Sequence, residues 1–302
     1  MKSEQADLGR DAGLRRPVAF PARTAQRAVP TVWLNLICLD APLVAVAWLW
    51  FFARTFHIPL HIGNAVALFL TAWLIYLADR FADSFSLKPN APRSLRQDFC
   101  LKHRATWIAS VALIAGFDAY VIWRTTAIQT FLVGAVVGIL AVIYLVANHP
   151  LGLIWRSLPA KESAIGILFA AGTIVALLPQ IPRTTGFVCA AVSFAALCSI
   201  NCISIAGWER DLDRAQGKVS IATRHPRAIQ CVGRIGVVLA LAVFAMAIVF
   251  PNAAPIFACV GVSALLLTWL NMSPRSLGTN ERTALADLVL LTPMVALIVA
   301  AL

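Results

Sequence analysis

Trp208-Glu209-Arg210-Asp211-Leu212-Asp213-Arg214-Ala215-Gln216-Gly217-Lys218-Val219-Ser220 closes a long apolar run with a cluster of carboxylates. A smaller version, Tyr76-Leu77-Ala78-Asp79-Arg80-Phe81-Ala82-Asp83, closes another apolar run in the first half of the chain. Carboxylates placed where a hydrophobic helix leaves a membrane are costly and mark function. Asp79 and Asp83 are four residues apart, as are Glu209 and Asp213, so each pair stacks on one helix face, whereas Asp211 falls off that face. Like charges repel at this spacing, and the helix C-terminus disfavours anions. Arg80, Arg210 and Arg214 supply one way of neutralising them. A hard divalent cation such as Mg²⁺, its shell completed by phosphate oxygens, supplies another. Two acidic pairs at corresponding helix ends favour the metal.

Composition places these clusters in a membrane protein. The 302 residues are 60% hydrophobic and 13% charged, with a mean hydropathy of +0.80, whereas a soluble domain carries about 25% charged residues. Recurring apolar runs predict an all-α polytopic bundle. Nine spans are expected, over 33–53, 62–79, 105–123, 126–147, 163–179, 187–208, 231–250, 255–270 and 284–302. Residues 31–302 then form a single transmembrane domain behind a disordered basic tail over 1–30. That tail has no short apolar core and does not read as a cleavable signal peptide. The seven cysteines are scattered, without a Cys-x-x-Cys, so neither disulfides nor a thiolate metal site is expected.

The net charge of +11 raises the question of nucleic acid, and its distribution answers it. Alternate loops and the N-terminal tail carry 22 of the 25 Lys and Arg, leaving Arg54, Arg124 and Arg183 for the other side. The positive-inside rule therefore predicts a cytoplasmic N-terminus, an outer C-terminus and no nucleic-acid partner. The acids follow the same side. Asp40, Glu162 and Asp287 lie near cytoplasmic helix ends with the two clusters, implying a polar cavity open toward the cytosol. Asp118 is the exception, expected to reach the outer interface beside Arg124.

Basic groups complement the acids. Arg93, Arg96 and Lys102 follow the first cluster, Lys218 and Arg224 the second, and Lys161 stands beside Glu162 at a helix start. Carboxylates, metal and cations at one mouth suit a pyrophosphate. For most of these cations topology signalling is sufficient explanation; Lys161 is the preferred exception. Asn201, inside the sixth span, either lines the cavity or bonds a neighbouring helix. Gly134-x-x-x-Gly138 predicts close helix packing, and His57 and His61 an interfacial position.

Together these residues resemble the UbiA-type family of intramembrane prenyltransferases. That family has about nine helices and two Asp-rich cytoplasmic motifs, after the second and sixth. Its second motif, Asp-x-x-x-Asp-x-x-x-Gly-x-x-Ser, is matched in spacing from Glu209 through Asp213 and Gly217 to Ser220, with Glu in the leading position. Asp79-Arg80-Phe81-Ala82-Asp83 matches the Asp-Arg-x-x-Asp of the first motif, and Asp40-Ala41-Pro42 the Asp-x-Pro of the first helix. Lys161 falls where the family places a lysine. The chain departs where Asn and often Asp precede the first motif: Ile75 and Tyr76 stand there.

The resemblance implies Mg²⁺ held by Asp79, Asp83, Glu209 and Asp213, with Lys161, Asp211 and Arg80 as catalytic groups. It also implies Arg93, Lys161, Asn201 and Lys218 as substrate-binding groups. The reaction would transfer a prenyl group from an allylic diphosphate to an aromatic or lipid acceptor in the bilayer. Trp33, Trp48, Phe69, Trp73 and Phe169 are candidates for lining the prenyl cavity. Two other readings stand beside it: a catalytically degenerate isoprenoid-binding protein, suggested by Ile75 and Tyr76, and a transporter. Against transport, the acids cluster at one face, and no pair of broken mid-span helices is visible.

Overall fold

A computed structural model describes residues 30–87, 90–148, 161–180, 184–273 and 277–299. The tail expected over 1–30 lies outside the described residues apart from Pro30, as do the C-terminal residues 300–302. Among the described residues all regular structure is helical. The order is α1 (Pro30–Leu36), α2 (Asp40–Thr55), α3 (Ile62–Phe85), α4 (Leu95–Lys102), α5 (Arg104–Thr125), α6 (Ile128–Asn148) and α7 (Lys161–Ile174). It continues with α8 (Thr185–Trp208), α9 (Arg210–Gln216), α10 (Ile221–Arg224), α11 (Pro226–Val249), α12 (Ala254–Met272), α13 (Thr279–Leu288) and α14 (Thr292–Val299).

Seven segments of the described chain are long and apolar enough to cross a membrane, the pattern of an integral membrane protein. They are α3, α5, α6, α8, α11, α12 with the short turn before it, and α13 with α14. Seven rather than nine meet this condition because two expected spans are occupied by shorter helices. α2 has 16 residues and α7 has 14. Those lengths correspond to roughly 24 and 21 Å of rise, against a hydrocarbon core of about 30 Å. The first expected span is interrupted at Cys38, whose φ of 58° breaks the helix between α1 and α2. Asp40 thereby opens α2, where its carboxylate accepts from the Ala41 N–H and the Asn35 amide. The helix dipole favours an anion at that end.

Outward faces are apolar. Ile128, Leu132 and Ile139 on α6, and Val238, Leu241 and Ile248 on α11, are exposed. A continuous apolar exterior of this kind matches lipid rather than water. Inside, Trp48 stacks on Phe194 with ring centroids 4.3 Å apart, and Phe52 and Phe187 extend the cluster. Three indole N–H groups tie helices to distant carbonyls: Trp48 to Leu290 at 2.8 Å, Trp73 to Ile37 at 2.9 Å and Trp107 to Leu77 at 3.0 Å. Buried indoles need such partners. α7 and α8 cross in near contact at Gly166, where a Cβ would lie 2.4 Å from the backbone nitrogen of Ser199. Only glycine fits that crossing.

Candidate functional site

A cavity of about 570 Å³ runs between α3, α5, α6, α7 and α8. One end is lined by both acidic motifs, the middle by apolar side chains such as Ile75, Leu168 and Phe169, and the other end by a second group of polar residues. Gly134 and Gly138 line this space instead of seating a neighbouring helix. A Cβ on Gly134 would find its nearest neighbour at 4.0 Å, and one on Gly138 would meet nothing. The close packing expected of them is therefore not formed: the cavity occupies the groove.

The first motif sits on the last turns of α3, where Asp79, Arg80 and Asp83 all face the cavity. The second follows the end of α8. Backbone bonds from Glu209 N–H to Ile205 O (3.0 Å) and from Asp213 N–H to Glu209 O (2.9 Å) carry the helical spacing across the junction into α9. That register puts Glu209 and Asp213 on the cavity wall and leaves Asp211 exposed. Gly217 then ends α9 with φ of 71°, a left-handed conformation that suits glycine. Its N–H, with that of Lys218, returns to the carbonyls of the last turn. The turn delivers Lys218 to Asp83, with Nζ and Oδ2 2.9 Å apart. Ser220 caps α10 by accepting from the Thr223 N–H, completing the motif's serine in a local structural role.

α4 closes the mouth from the first half. A capping box between Ser94 and Gln97 starts it, and its Arg96 is buried in a salt bridge with Glu209. Gln216 on α9 donates to the Pro92 carbonyl at 2.8 Å and to Gln97 Oε1 at 2.9 Å. Glu162, at the start of α7, accepts the Ile221 N–H at 3.0 Å through one oxygen, while its other oxygen is buried without a partner among the described residues. Lys161 lines the same mouth. Asn201 does both things foreseen for it, lining the cavity and donating to Asp287 at 2.9 Å. Arg93 is turned outward, exposed, with Asp98 at 3.9 Å.

Electrostatically the mouth is a mesh of alternating charges. Arg80 lies within reach of Glu209, Asp79 and Asp83. Burial pushes the Asp213 carboxyl up to about 6; the nearby Glu209 charge adds to this, while a hydrogen bond from Ser220 and the cations Lys218 and Lys161 oppose it. The four carboxylates offer only hard oxygen donors. No three His, Cys, Asp or Glu side chains stand together as a ready metal-ligand group among the described residues. Mg²⁺ held by one or two carboxylates plus substrate phosphates does not need such a group.

The aromatic expectations divide. Phe169 lines the cavity and faces Tyr76, with ring centroids 6.3 Å apart. Trp48 is instead fully buried in the core, Trp33 is half exposed beside Phe99, and Phe69 and Trp73 pack into a second apolar cluster. His61 caps α3, its Nδ1 accepting from the Gly63 N–H.

Asp118 does not reach toward Arg124. Six residues on a helix turn about 240° around the axis, and the two side chains point different ways. Asp118 turns inward to accept a 2.7 Å bond from Thr71, while Arg124 lies over the Trp123 ring. Sequence reasoning missed this inward group, along with Gln97, Gln216 and the cavity-lining Tyr144. The Ser94-x-x-Gln97 capping box was the available signal for α4. No protein-family model, no curated protein and no solved structure matches this chain.

Proposed function

We propose that the chain is a UbiA-type intramembrane prenyltransferase, Mg²⁺-dependent, moving a prenyl group from an allylic diphosphate to an aromatic or lipid acceptor. The observation that carries this reading is the pairing of chemistries along one cavity. Asp79, Asp83, Glu209 and Asp213 share its mouth with Arg80, Arg96, Lys161 and Lys218, and the wall beyond is apolar. When bound, Mg²⁺ would supply charge to the diphosphate leaving group. Asp79 and Asp83 would hold it from α3, and Glu209 and Asp213 from the second motif.

The chain's own cations do the rest at that end. Lys161 and Lys218 meet the diphosphate oxygens, and Arg80 and Arg96 hold the surrounding carboxylates in place. The apolar wall takes the prenyl chain and excludes water from the allylic cation left after C–O cleavage. Asp211 and Arg93, both exposed, stand outside this scheme. The nine-span bundle belongs to the same proposal, α2 and α7 serving as short spans within it. So does the orientation, with the N-terminus and the cavity mouth cytoplasmic and the C-terminus outside.

A test incubates membranes holding the protein with labelled prenyl diphosphates, Mg²⁺ and a lipid extract. Labelled product should fall by about 100-fold or more when a transition-state charge contact is removed, as in Asp79→Asn or Asp213→Asn. Activity unchanged in both variants would sink the metal assignment. A single cysteine introduced at position 90 should label only from the cytosolic side.

A second reading has its own observation. Tyr76 stands where the family often has Asp, and its ring packs on Phe169 in the cavity wall. That substitution supports a relative that binds an isoprenoid diphosphate without turning it over. Binding in the same assay without product favours it.

A further inference from the structure

We propose that the end of the cavity away from the carboxylate mouth is a second recognition site, for a hydroxyl or amino group carried on the apolar part of the ligand. Asp118 on α5 is only 5% exposed, yet it lines the cavity. The Thr71 hydroxyl donates to its Oδ2, and its Oδ1 is enclosed without a partner among the described residues. Asn64 Oδ1 and Thr126 Oγ1 are enclosed and unpartnered in the same way, and both residues line the same cavity. Buried polar atoms are normally satisfied, and leaving one unmet is costly. Three of them, spread along about 12 Å of wall, mark an unfilled demand for hydrogen-bonding partners, and Asp118 supplies the charged one.

Helix register assembles the group. Asn64 and Thr71 are seven residues apart on one face of α3, and Asp118, Ile122 and Thr126 recur every four residues along α5 and its C-cap. The two helices touch where a Cβ on Gly63 would lie 2.4 Å from that of Thr125. Asn64 and Thr126 flank that contact. Along α3, Thr71 lies about 12 Å and Asn64 about 22 Å from the level of Asp79.

Charge decides which ligand group suits it. Every Arg and Lys among the cavity-lining residues belongs to the mouth: Arg80, Arg96, Lys161 and Lys218. Among the described lining residues the far end presents a carboxylate, an amide oxygen and hydroxyls, with no cation to hold a phosphate. It selects a hydrogen-bond donor reached across an apolar stretch. This assignment does not depend on prenyl transfer, and phosphate-free probes keep the two apart.

The test titrates the purified full chain in detergent with linear primary alkanols, from octanol to hexadecanol, and with their methyl ethers. At one or more chain lengths the wild-type protein should bind the alkanol about tenfold more tightly than the ether, as a hydrogen bond to a buried charged group gives. Asp118→Leu, which removes the carboxylate acceptor at similar side-chain volume, should remove the preference. Asp79→Asn, at the mouth, should keep it. The proposal is overturned if the wild-type protein shows no preference, which would leave the far end to water alone. It is equally overturned if the preference survives Asp118→Leu or disappears in Asp79→Asn.

Discussion

The two acidic motifs use the same spacing and are built in opposite ways. Glu209 through Ser220 takes its backbone course from local devices, a helix junction, a left-handed Gly217 and a serine cap within one short stretch, while Arg96, Gln97 and Asp83 hold its side chains from outside. Asp79 and Asp83 sit on an unbroken helix, and their setting comes from elsewhere, from Lys218 across the mouth and from α4, which packs against α3. One motif has its backbone shaped by its own turns, whereas the other is a plain helix face set by its neighbours. Ile75 and Tyr76, where the chain departs from the pattern it resembles, fall on the side that depends on neighbours.

The sharpest way to break this contrast is at the bond that joins the halves. Arg96→Ala strips the partner from Glu209 at a site where the two side chains are 9% and 18% exposed. Losing one member of a buried pair costs about 3 kcal/mol, read as a drop in thermal midpoint in detergent. Gly217→Ala comes next, at about 1 kcal/mol for a side chain in the left-handed region. Ser220→Ala should lose about 1 kcal/mol or slightly less as a cap. If the second motif's backbone is set locally, hydrogen exchange in both variants should speed up over residues 210–224 and stay unchanged in α3. Lys218→Ala should matter least, under about 1 kcal/mol, as expected of a partly exposed pair, here with side chains 22% and 27% exposed.

pH sharpens the comparison further. The Asp213 carboxyl is raised to about 6 in the folded chain by burial, above its unfolded value of about 3.9. Folding therefore favours its protonated form. This contribution is fully present below the unfolded value and is lost as pH rises through about 6. In chelator-containing buffer the wild-type protein should lose stability relative to Asp213→Asn between these limits. A flat difference across that window would remove the buried setting from Asp213.

The sequence made much of this legible where a signal is local. Apolar runs located the helices, and four-residue acidic spacing located both halves of the mouth. Asn201 was identified with its two alternatives, and the chain realises both. What stayed hidden depended on contacts between distant segments or on a local break with no residue signature. A cysteine at φ of 58° carries no mark that a helix stops there, so the first apolar run read as one span. The glycines of α6 look like a packing motif by spacing, and only the empty groove beside them shows otherwise. Asp118 was drawn toward Arg124 by proximity in the chain, when the helical angle between them forbids it and Thr71 lies within reach.

The bond from Arg96 to Glu209 spans 113 positions in the chain. At ribosomal speeds of about 5–20 residues per second, that separation corresponds to roughly ten seconds of synthesis. Arg96 must spend that interval at the membrane surface, charged and solvated, before α8 brings its partner. The mouth therefore assembles only after α8 has followed α1 through α7 into place. A nascent chain halted before Glu209 would carry the first motif exposed on an open helix end.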